Sequence, residues 1–363
     1  MNFLHSLWNS IQLTLFSRLE EELDPLTELQ KTFVSVIELI NPRPHLHQFD
    51  WVGNGRKPES RLNLLKAFVA KAVYDFPTTE ILVEHLTSSK NLRRLCGFET
   101  VGQIPSLSTF SRAFAQFAES GILNEIHQAM IRESYGDKIA GHVSRDSTAI
   151  EAREKPAKKE PKEKKPKGKR GRKKKGDVTP PKEPKRLELQ PNRSLNKNVT
   201  DLPQVCDIGT KKNSKGHCEH WIGYKLHADV IDGEIPVSLI LTSASLHDSQ
   251  VAIPLAQMTA ERVTSLYDLM DAAYDAEEIK KFVLAQGHVP LIDSNPRSGE
   301  KVAMEPAQEV RYKQRTSVER VFSMLKDNHG GKHVRVRGPK KVMAHLTLGM
   351  LVITATQIFR LLI

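Results

Sequence analysis

SLYDLMDAAYDAEEIKKFVLAQGHVPLIDS, residues 265–294, holds three secondary-structure elements in close succession. SLYDLMD (265–271) is a short apolar run that ends on an acid and reads as a strand. DAEEIKKFVLAQG (275–287) spaces its apolar residues as a helix does, with Asp275 placed as the N-cap and Gly287 just past the end. HVPLIDS (288–294) returns to strand character. A strand, a helix and a strand in this order form a crossover unit, which joins parallel strands.

Upstream, YKLHADVIDGEIPVSLI (224–240) is two strand-like runs joined by Asp232-Gly233, a strong hairpin signal. IAGHVSRDSTAI (139–150) reads as a short strand ending near Asp146. Downstream, RYKQRTSVERVFSMLKD (311–327) reads as one core helix. The last twenty residues, AHLTLGMLVITATQIFRLLI, contain His345, three threonines, Gln357 and Arg360, which suits a packed helix rather than a membrane span. A hairpin, a parallel unit and packed helices predict an α/β domain, a mixed sheet with helices on its faces, over residues 138–363.

Residues 1–137 read as all-α. RLNLLKAFVAKAVYDF (61–76), TTEILVEHL (78–86), SKNLRRLCGF (89–98) and SLSTFSRAFAQFAESG (106–121) are short helical pieces. With Arg93, Arg94 and Arg112 on them, they are similar to a helix-turn-helix DNA reader. The same spacing serves a plain helical bundle. The region is expected to bind DNA ends, with Arg94 and Arg112 as contacts.

The net charge is +11, and its location matters more than its size. Residues 155–186 carry 16 Lys/Arg against 4 Asp/Glu, while the rest of the chain holds 38 against 39. This segment, part of an insertion over about 155–198, is rich in Lys, Pro and Gly and has almost nothing to bury, so it is expected to be disordered. Its cations, Lys169, Arg170, Arg172, Lys173 and Lys174 among them, suit a non-specific nucleic-acid arm, because they displace counterions from phosphates. A solubilising linker is the bland alternative. Three cysteines, Cys96, Cys206 and Cys218, make no disulfide framework and suit a reducing compartment. No basic stretch followed by a long apolar run opens the chain, so no signal peptide is expected.

On a helical wheel with Arg315 at zero, Lys326 falls at about 20°, Glu319 at about 40° and Tyr312 at about 60°. Val318, Val321, Phe322 and Leu325 lie on the buried side. One carboxylate thus shares a strip with three groups suited to phosphate. A solvated face with Arg315–Glu319 pairing is the plain reading of such a strip. Asp146 and Asp271 are the other two acids that stand out, both near strand ends. Carboxylates converging from separate elements repel unless a cation neutralises them, and hard oxygen donors select Mg²⁺ or Mn²⁺. Two such ions can activate an attacking oxygen and stabilise a leaving one at phosphorus. The chemistry expected is metal-dependent cleavage or transfer of a phosphodiester.

The spacing Tyr312-x2-Arg315-x3-Glu319-x6-Lys326 resembles the Y-R-E-K signature of the DDE transposases of the insertion-sequence-four superfamily. SRDSTAIEAREK (144–155) resembles their first-aspartate region and LMDAAYDAEEI (269–279) their D-x-x-Y-D second-aspartate region. GYKLH (223–227), LHDS (246–249) and the helical stretch 60–120 are also similar to segments of these proteins. The resemblance implies an RNase H-like catalytic domain with two Mg²⁺ (or Mn²⁺) ions. Asp146, Asp271 and Glu319 would be catalytic metal ligands, with Tyr312, Arg315 and Lys326 on DNA phosphates. It implies cut-and-paste movement of a bacterial insertion sequence, with terminal inverted repeats and target DNA as double-stranded partners. A homodimer on DNA, no membrane partner and a cytoplasmic, nucleoid-associated setting follow. The chain departs from many relatives in Ala272-Ala273, where they carry Lys-Gly, and in its basic insertion. Only 47 residues separate Asp271 from Glu319, so the large β insertion of some relatives is absent.

Other constellations weigh less. HCEH (217–220) with Cys206 lacks a second pair at zinc-finger spacing and reads as a polar loop. His247-Asp248 reads as a turn after a strand, and Trp51 and Trp221 as packing. Tyr274 or Tyr312 as a covalent nucleophile is a minor alternative. Asp268 stands three residues before Asp271, and spacing alone does not choose between them. A nuclease of the same fold without strand transfer, and a silent DNA-binding relative, are the alternative functions.

Overall fold

The computed structural model describes residues 2–53, 55–158, 183–212, 216–296 and 303–362. Eight helices open the chain: α1 (Asn2–Ser10), α2 (Phe16–Glu22), α3 (Glu28–Ile40), α4 (Arg61–Val73), α5 (Thr79–Ser88), α6 (Lys90–Leu95), α7 (Leu107–Ser120) and α8 (Ile122–Tyr135). Four of their starts, those of α3 to α6, carry side-chain caps. Thr27 and Gln30 form a reciprocal capping box on α3, and Ser60, Thr78 and Ser89 accept amide hydrogen bonds at α4, α5 and α6. Gly121, at φ 73°, takes the left-handed conformation that separates α7 from α8.

The rest alternates. In order come β1 (Ile139–Glu151), α9 (Arg186–Leu189), α10 (Leu195–Thr200), β2 (Asp207–Lys212), β3 (Cys218–Ile231), β4 (Ile235–Ser243), α11 (Ser249–Ala260) and β5 (Thr264–Met270). Then follow α12 (Glu277–Ala285), β6 (Val289–Ile292), α13 (Pro306–Tyr312), α14 (Thr316–Asn328) and α15 (Pro339–Arg360). The sheet order is β2-β3-β1-β5-β6, with β4 also on β3. β1 pairs antiparallel with β3 and parallel with β5, and β5 pairs parallel with β6. This mixed sheet with helices on its faces is the RNase H-like α/β architecture expected, preceded by an all-α region. The hairpin falls where Asp232-Gly233 placed it, with Gly233 at φ 80°.

Several boundaries differ from expectation. β1 does not end near Asp146 but runs on to Glu151, because β3 pairs with it all the way to Gly223. HCEH is no loop: Cys218, Glu219 and His220 lie in β3, opposite Lys212, Lys211 and Thr210. Asp275 is not the cap of α12, which begins two residues later after Ala276. Residues 311–327 are not one helix either. A tight turn at Lys313–Arg315 separates α13 from α14, and it is stitched to the sheet where the Ser144 hydroxyl donates to the Gln314 carbonyl at 3.0 Å. Finally, residues 183–198 of the basic insertion are ordered. α9 and α10 dock on α11: the Gln190 amide donates to the Gln250 carbonyl and the Asn198 amide to Gln257. Lys169, Arg170, Arg172, Lys173 and Lys174 lie outside the described residues.

One hydrophobic core runs through both halves. Phe33, Phe68, Phe110, Phe117 and Ile126 of the helical region meet Leu348, Leu351 and Val352 of α15 and Val143, Ile231 and Ile235 of the sheet. α15 is long and apolar enough to span a membrane, yet most of it is buried inside the protein, apolar on every side. The chain boundary near residue 137 falls between α8 and β1 and is not a boundary in the core. α14 lays Val318, Val321, Phe322 and Leu325 against Tyr224, Leu226 and Val230 of β3, which fixes the face it turns outward.

Candidate active site

The last parallel pair between β1 and β5 is Arg145 with Met270. β5 ends there and Asp271 follows it, while β1 continues with β3 alone. The sheet therefore opens a notch beside Asp146, and Asp271 stands at its rim. Asp271 folds back as cap of the turn Ala272–Tyr274, accepting the Ala273 amide at 2.9 Å.

Burial raises the Asp146 carboxyl to about 7; the Ser147 amide opposes this and the nearby Asp271 charge adds to it. Burial likewise raises Asp271, against the Ala273 amide and Arg315. Two acids that resist ionisation side by side are a site short of positive charge. Arg315, at the head of α14, supplies part of it. Its guanidinium reaches Asp146 at 3.4 Å and Glu319 at 2.6 Å. Glu319 thus faces the same notch but is held by Arg315 rather than against the two aspartates. Among the described residues no three His, Cys, Asp or Glu side chains group closely enough to hold a metal. The donor chemistry nevertheless fits a hard divalent cation. The Tyr274 hydroxyl adds to the fit: it is buried with no hydrogen-bond partner, and Asp146, Asp248 and Asp271 all push its ionisation far up, behind burial itself.

Tyr312 does not share a wheel with Arg315, since the turn at 313–315 intervenes. Its hydroxyl donates to the Met270 carbonyl at 3.1 Å, fixing the end of β5 just before Asp271. Burial raises Tyr312 to about 12, and Tyr274 is fully buried, so neither is poised as a nucleophile. Lys326 lies two turns along α14 from Glu319, beside Lys211 and Glu151, and burial lowers its pKa. Arg94 and Arg112 sit in the helical region. Arg94 is tied to Glu99 at 2.9 Å and to the Glu22 carbonyl at 3.1 Å, whereas Arg112 is exposed on α7. α5 and α6 are joined through the single residue Ser89, but eleven residues separate α6 from α7.

Sequence reasoning passed over Asp248 as a turn residue. It faces the same notch: its charge acts on Asp146, Asp271 and Tyr274. Burial works against its ionisation, but His227, the Lys225 ammonium at 2.8 Å and the Ser147 hydroxyl outweigh that and hold it low. LHDS and GYKLH were the signals that contain this pair. Asp268 goes the other way. It is buried with Arg145 at 3.3 Å and His288 at 3.1 Å, while Arg145 also pairs with Asp229 at 2.7 Å. Trp221 is buried over Gly209 and Trp51 is about half exposed.

Two family models match the chain. A transposase DDE domain matches residues 200–355, and a second model, "Transposase domain (DUF772)", matches residues 16–116. The first covers Asp248, Asp271 and Glu319; β1, with Asp146, falls between the two matched spans. No curated protein matches the chain.

Proposed function

We propose that this chain, a DDE transposase by the two transposase domains it carries, cuts DNA at the ends of a mobile element and joins the freed ends to target DNA. The observation that carries the reading is the notch where Asp146 and Asp271 meet at the sheet's opening, with Glu319 drawn to it by Arg315. Asp146 and Asp271 would hold Mg²⁺ or Mn²⁺, with Glu319 completing the set once Arg315 releases it. When bound, such ions polarise phosphoryl oxygens and sharpen an attacking oxygen.

The protein's own groups do the rest. Arg315, its guanidinium freed from Glu319, can pass to a phosphate oxygen, a charge-assisted exchange of one anion for another. Tyr312 keeps Asp271 aimed by anchoring Met270. Lys225 keeps Asp248 ionised and out of competition for protons. Water attacks the phosphodiester at the element's end, the P–O3′ bond to the element's terminal nucleotide breaks, the leaving 3′-oxygen takes up the proton that water gives up, and a 3′-hydroxyl on the element and a 5′-phosphate on the flanking strand result. That 3′-hydroxyl then displaces a target 3′-oxygen in line, so each joined bond is matched by one broken. The Tyr312, Arg315, Glu319 and Lys326 spacing supports reading the protein as one of the insertion-sequence-four group, which would act as a dimer on DNA, on the chromosome in a bacterial cytoplasm. The N-terminal helices would read the ends, with residues 138–363 as the catalytic domain.

The test is incubation of the full-length protein with duplexes carrying the element's ends, plus Mg²⁺ or Mn²⁺, beside Asp271→Asn and Glu319→Gln. Metal-dependent cuts at the ends with joined products, lost in both variants, are expected. Cuts without joining would make it a nuclease of this fold. Cutting that survives Asp271→Asn would overturn the assignment of the site.

A further inference from the structure

α14 ends at Asn328 and α15 begins at Pro339, and the strap between them is HGGKHVRVRG (329–338). From Gly330 to Lys341 there are five Lys/Arg and one His and no acid. Burial alternates along it. Val334 is 3% exposed and packs with Val318, Phe322 and Leu325, and Val336 is partly buried, while Lys332, His333, Arg335 and Arg337 are exposed. Alternation of this kind points every second side chain the same way, about 7 Å apart when the chain is extended.

Both ends of the strap are pinned. His329 bonds the Ala72 carbonyl at 2.9 Å, His345 bonds the Gly330 carbonyl at 2.9 Å, and the Gly338 amide donates to Glu154 at 2.9 Å. The cations are therefore presented by a fixed backbone. Among the described residues none of Lys332, Arg335 and Arg337 has a carboxylate within ion-pair distance. The acids that border the strap are few. Glu80 lies near Arg335, Asp75 lies beside His329 and Lys71, Glu154 is spent on Tyr224 and Gly338, and Glu151 is shared with Lys326. A shallow cavity of about 310 Å³ opens here between Arg153 and Lys332, His333 and Arg335.

Position adds to charge. Lys326 stands about 10 Å along α14 from Glu319, and the strap begins one turn later. The end of β1 and the residues after it also border the strap, with Arg153 lining the cavity and Glu154 bonded to Gly338. Cations so crowded repel each other, and an anion of matching repeat is what relieves them.

We propose that the 329–338 strap is a docking rail for the sugar–phosphate backbone of double-stranded DNA, with Arg335 and Arg337, two residues apart on the outward side, on successive phosphates, exposed Lys332 flanking them on a further phosphate, and Lys326 continuing the track to the carboxylate notch. This rests on the reading that the chain acts on DNA, and it assigns contacts that read no sequence. The rail orients the duplex so that a phosphodiester enters the notch.

The experiment is binding of the full-length protein to a random-sequence duplex in EDTA, followed by fluorescence anisotropy across a salt series. Each phosphate contact contributes about 0.9 to the slope of log K against log salt. Lys332→Ala/Arg335→Ala/Arg337→Ala is expected to flatten the slope by about 2.7, and Arg335→Lys/Arg337→Lys to leave it nearly unchanged. If the triple variant melts early, Lys332→Gln, Arg335→Gln and Arg337→Gln are measured singly, each expected to cost about 0.9 of slope. A slope unchanged in variants that melt normally overturns the rail. Asp271→Asn separates the two readings. A flattened slope in the strap variant, from a wild type that never cuts, keeps the rail and removes only the proposed chemistry. Cutting lost in Asp271→Asn with an unchanged strap slope does the reverse.

Discussion

Arg145 and Asp146 are neighbours on β1 with opposite fates. Arg145 turns into the protein, where it is about 1% exposed and bridges Asp229 and Asp268. Asp146 turns into the notch, where its side chain keeps about 18% of its surface and meets Asp271 and the rim of Arg315. Both places gather acids around one guanidinium. Around Arg145 the match is tight: two short hydrogen bonds of 2.7 Å join it to Asp229, whose other contact is the Thr259 hydroxyl at 2.6 Å. In the notch the match is loose, one contact of 3.4 Å to Asp146 and the main one to half-exposed Glu319. A buried ion cluster that is satisfied holds structure, whereas an acid pair left short of charge is available to bind something.

The sharpest test of that contrast is loss of chemistry without loss of fold. Asp271→Asn should cut the rate of metal-dependent cleavage by a factor of about a thousand or more, a barrier of about 4 kcal/mol, with the melting temperature held. Gel-resolved cleavage beside a thermal melt decides it, and a melt that collapses would put Asp271 in the structural class with Asp268.

Next in size is Arg145→Leu. It leaves Asp229 buried with only the Thr259 hydroxyl and Asp268 with only His288, and the loss of the buried cation should cost about 3–5 kcal/mol. Urea unfolding measures this, and a loss under about 1 kcal/mol would erase the distinction between the two clusters.

The pH dependence runs opposite in the notch. Asp146 has a folded pKa of about 7, above the usual carboxylate value. The folded state therefore holds its proton more tightly than the unfolded chain, and stability falls as pH rises from about 4 through about 7. Asp146→Asn removes that penalty. In EDTA it should stabilise the protein by roughly 2–4 kcal/mol at pH 8 and leave it nearly unchanged at pH 4. A variant less stable than wild type at pH 8 would contradict the view of an under-neutralised site. The smallest effect belongs to Asp275, whose pairing with Lys280 at 2.6 Å is partly exposed. Asp275→Ala should shift stability by about 1 kcal/mol or less, where loss of a helix cap at that position would have cost more.

Much of this was legible in the chain. Period-two and period-3.6 patterning placed the strands and helices because burial on one face demands it, and the Asp232-Gly233 turn fixed the hairpin. Asp271 lay at the end of a strand that the pattern outlined, whereas Asp146 lies in the middle of the longer β1 and Glu319 in the first turn of α14. What patterning missed has local causes. Asp275 offered a cap, yet α12 starts later and the Asp275 carboxylate accepts the Asn295 amide instead. Tyr312 matched a helical strip, yet the Ser144 hydroxyl captures the Gln314 carbonyl and breaks the helix. Residues 183–198 looked too polar to fold, yet amides of Gln190 and Asn198 found carbonyl and side-chain partners on α11.

By itself the sequence determined the hairpin, the strand–helix–strand unit, the mixed sheet, the apolar faces and the reservoir of acids and cations, since these follow from side-chain period and charge. Only tertiary structure decided which acids face each other. Asp268 and Asp271 differ by three positions on one strand end, and nothing local separates them. The register of β1 with β5, Arg145 opposite Met270, sends one to a buried arginine and releases the other at the edge of the sheet. Register is set by the packing of both sheet faces at once, and that is a property of the whole core.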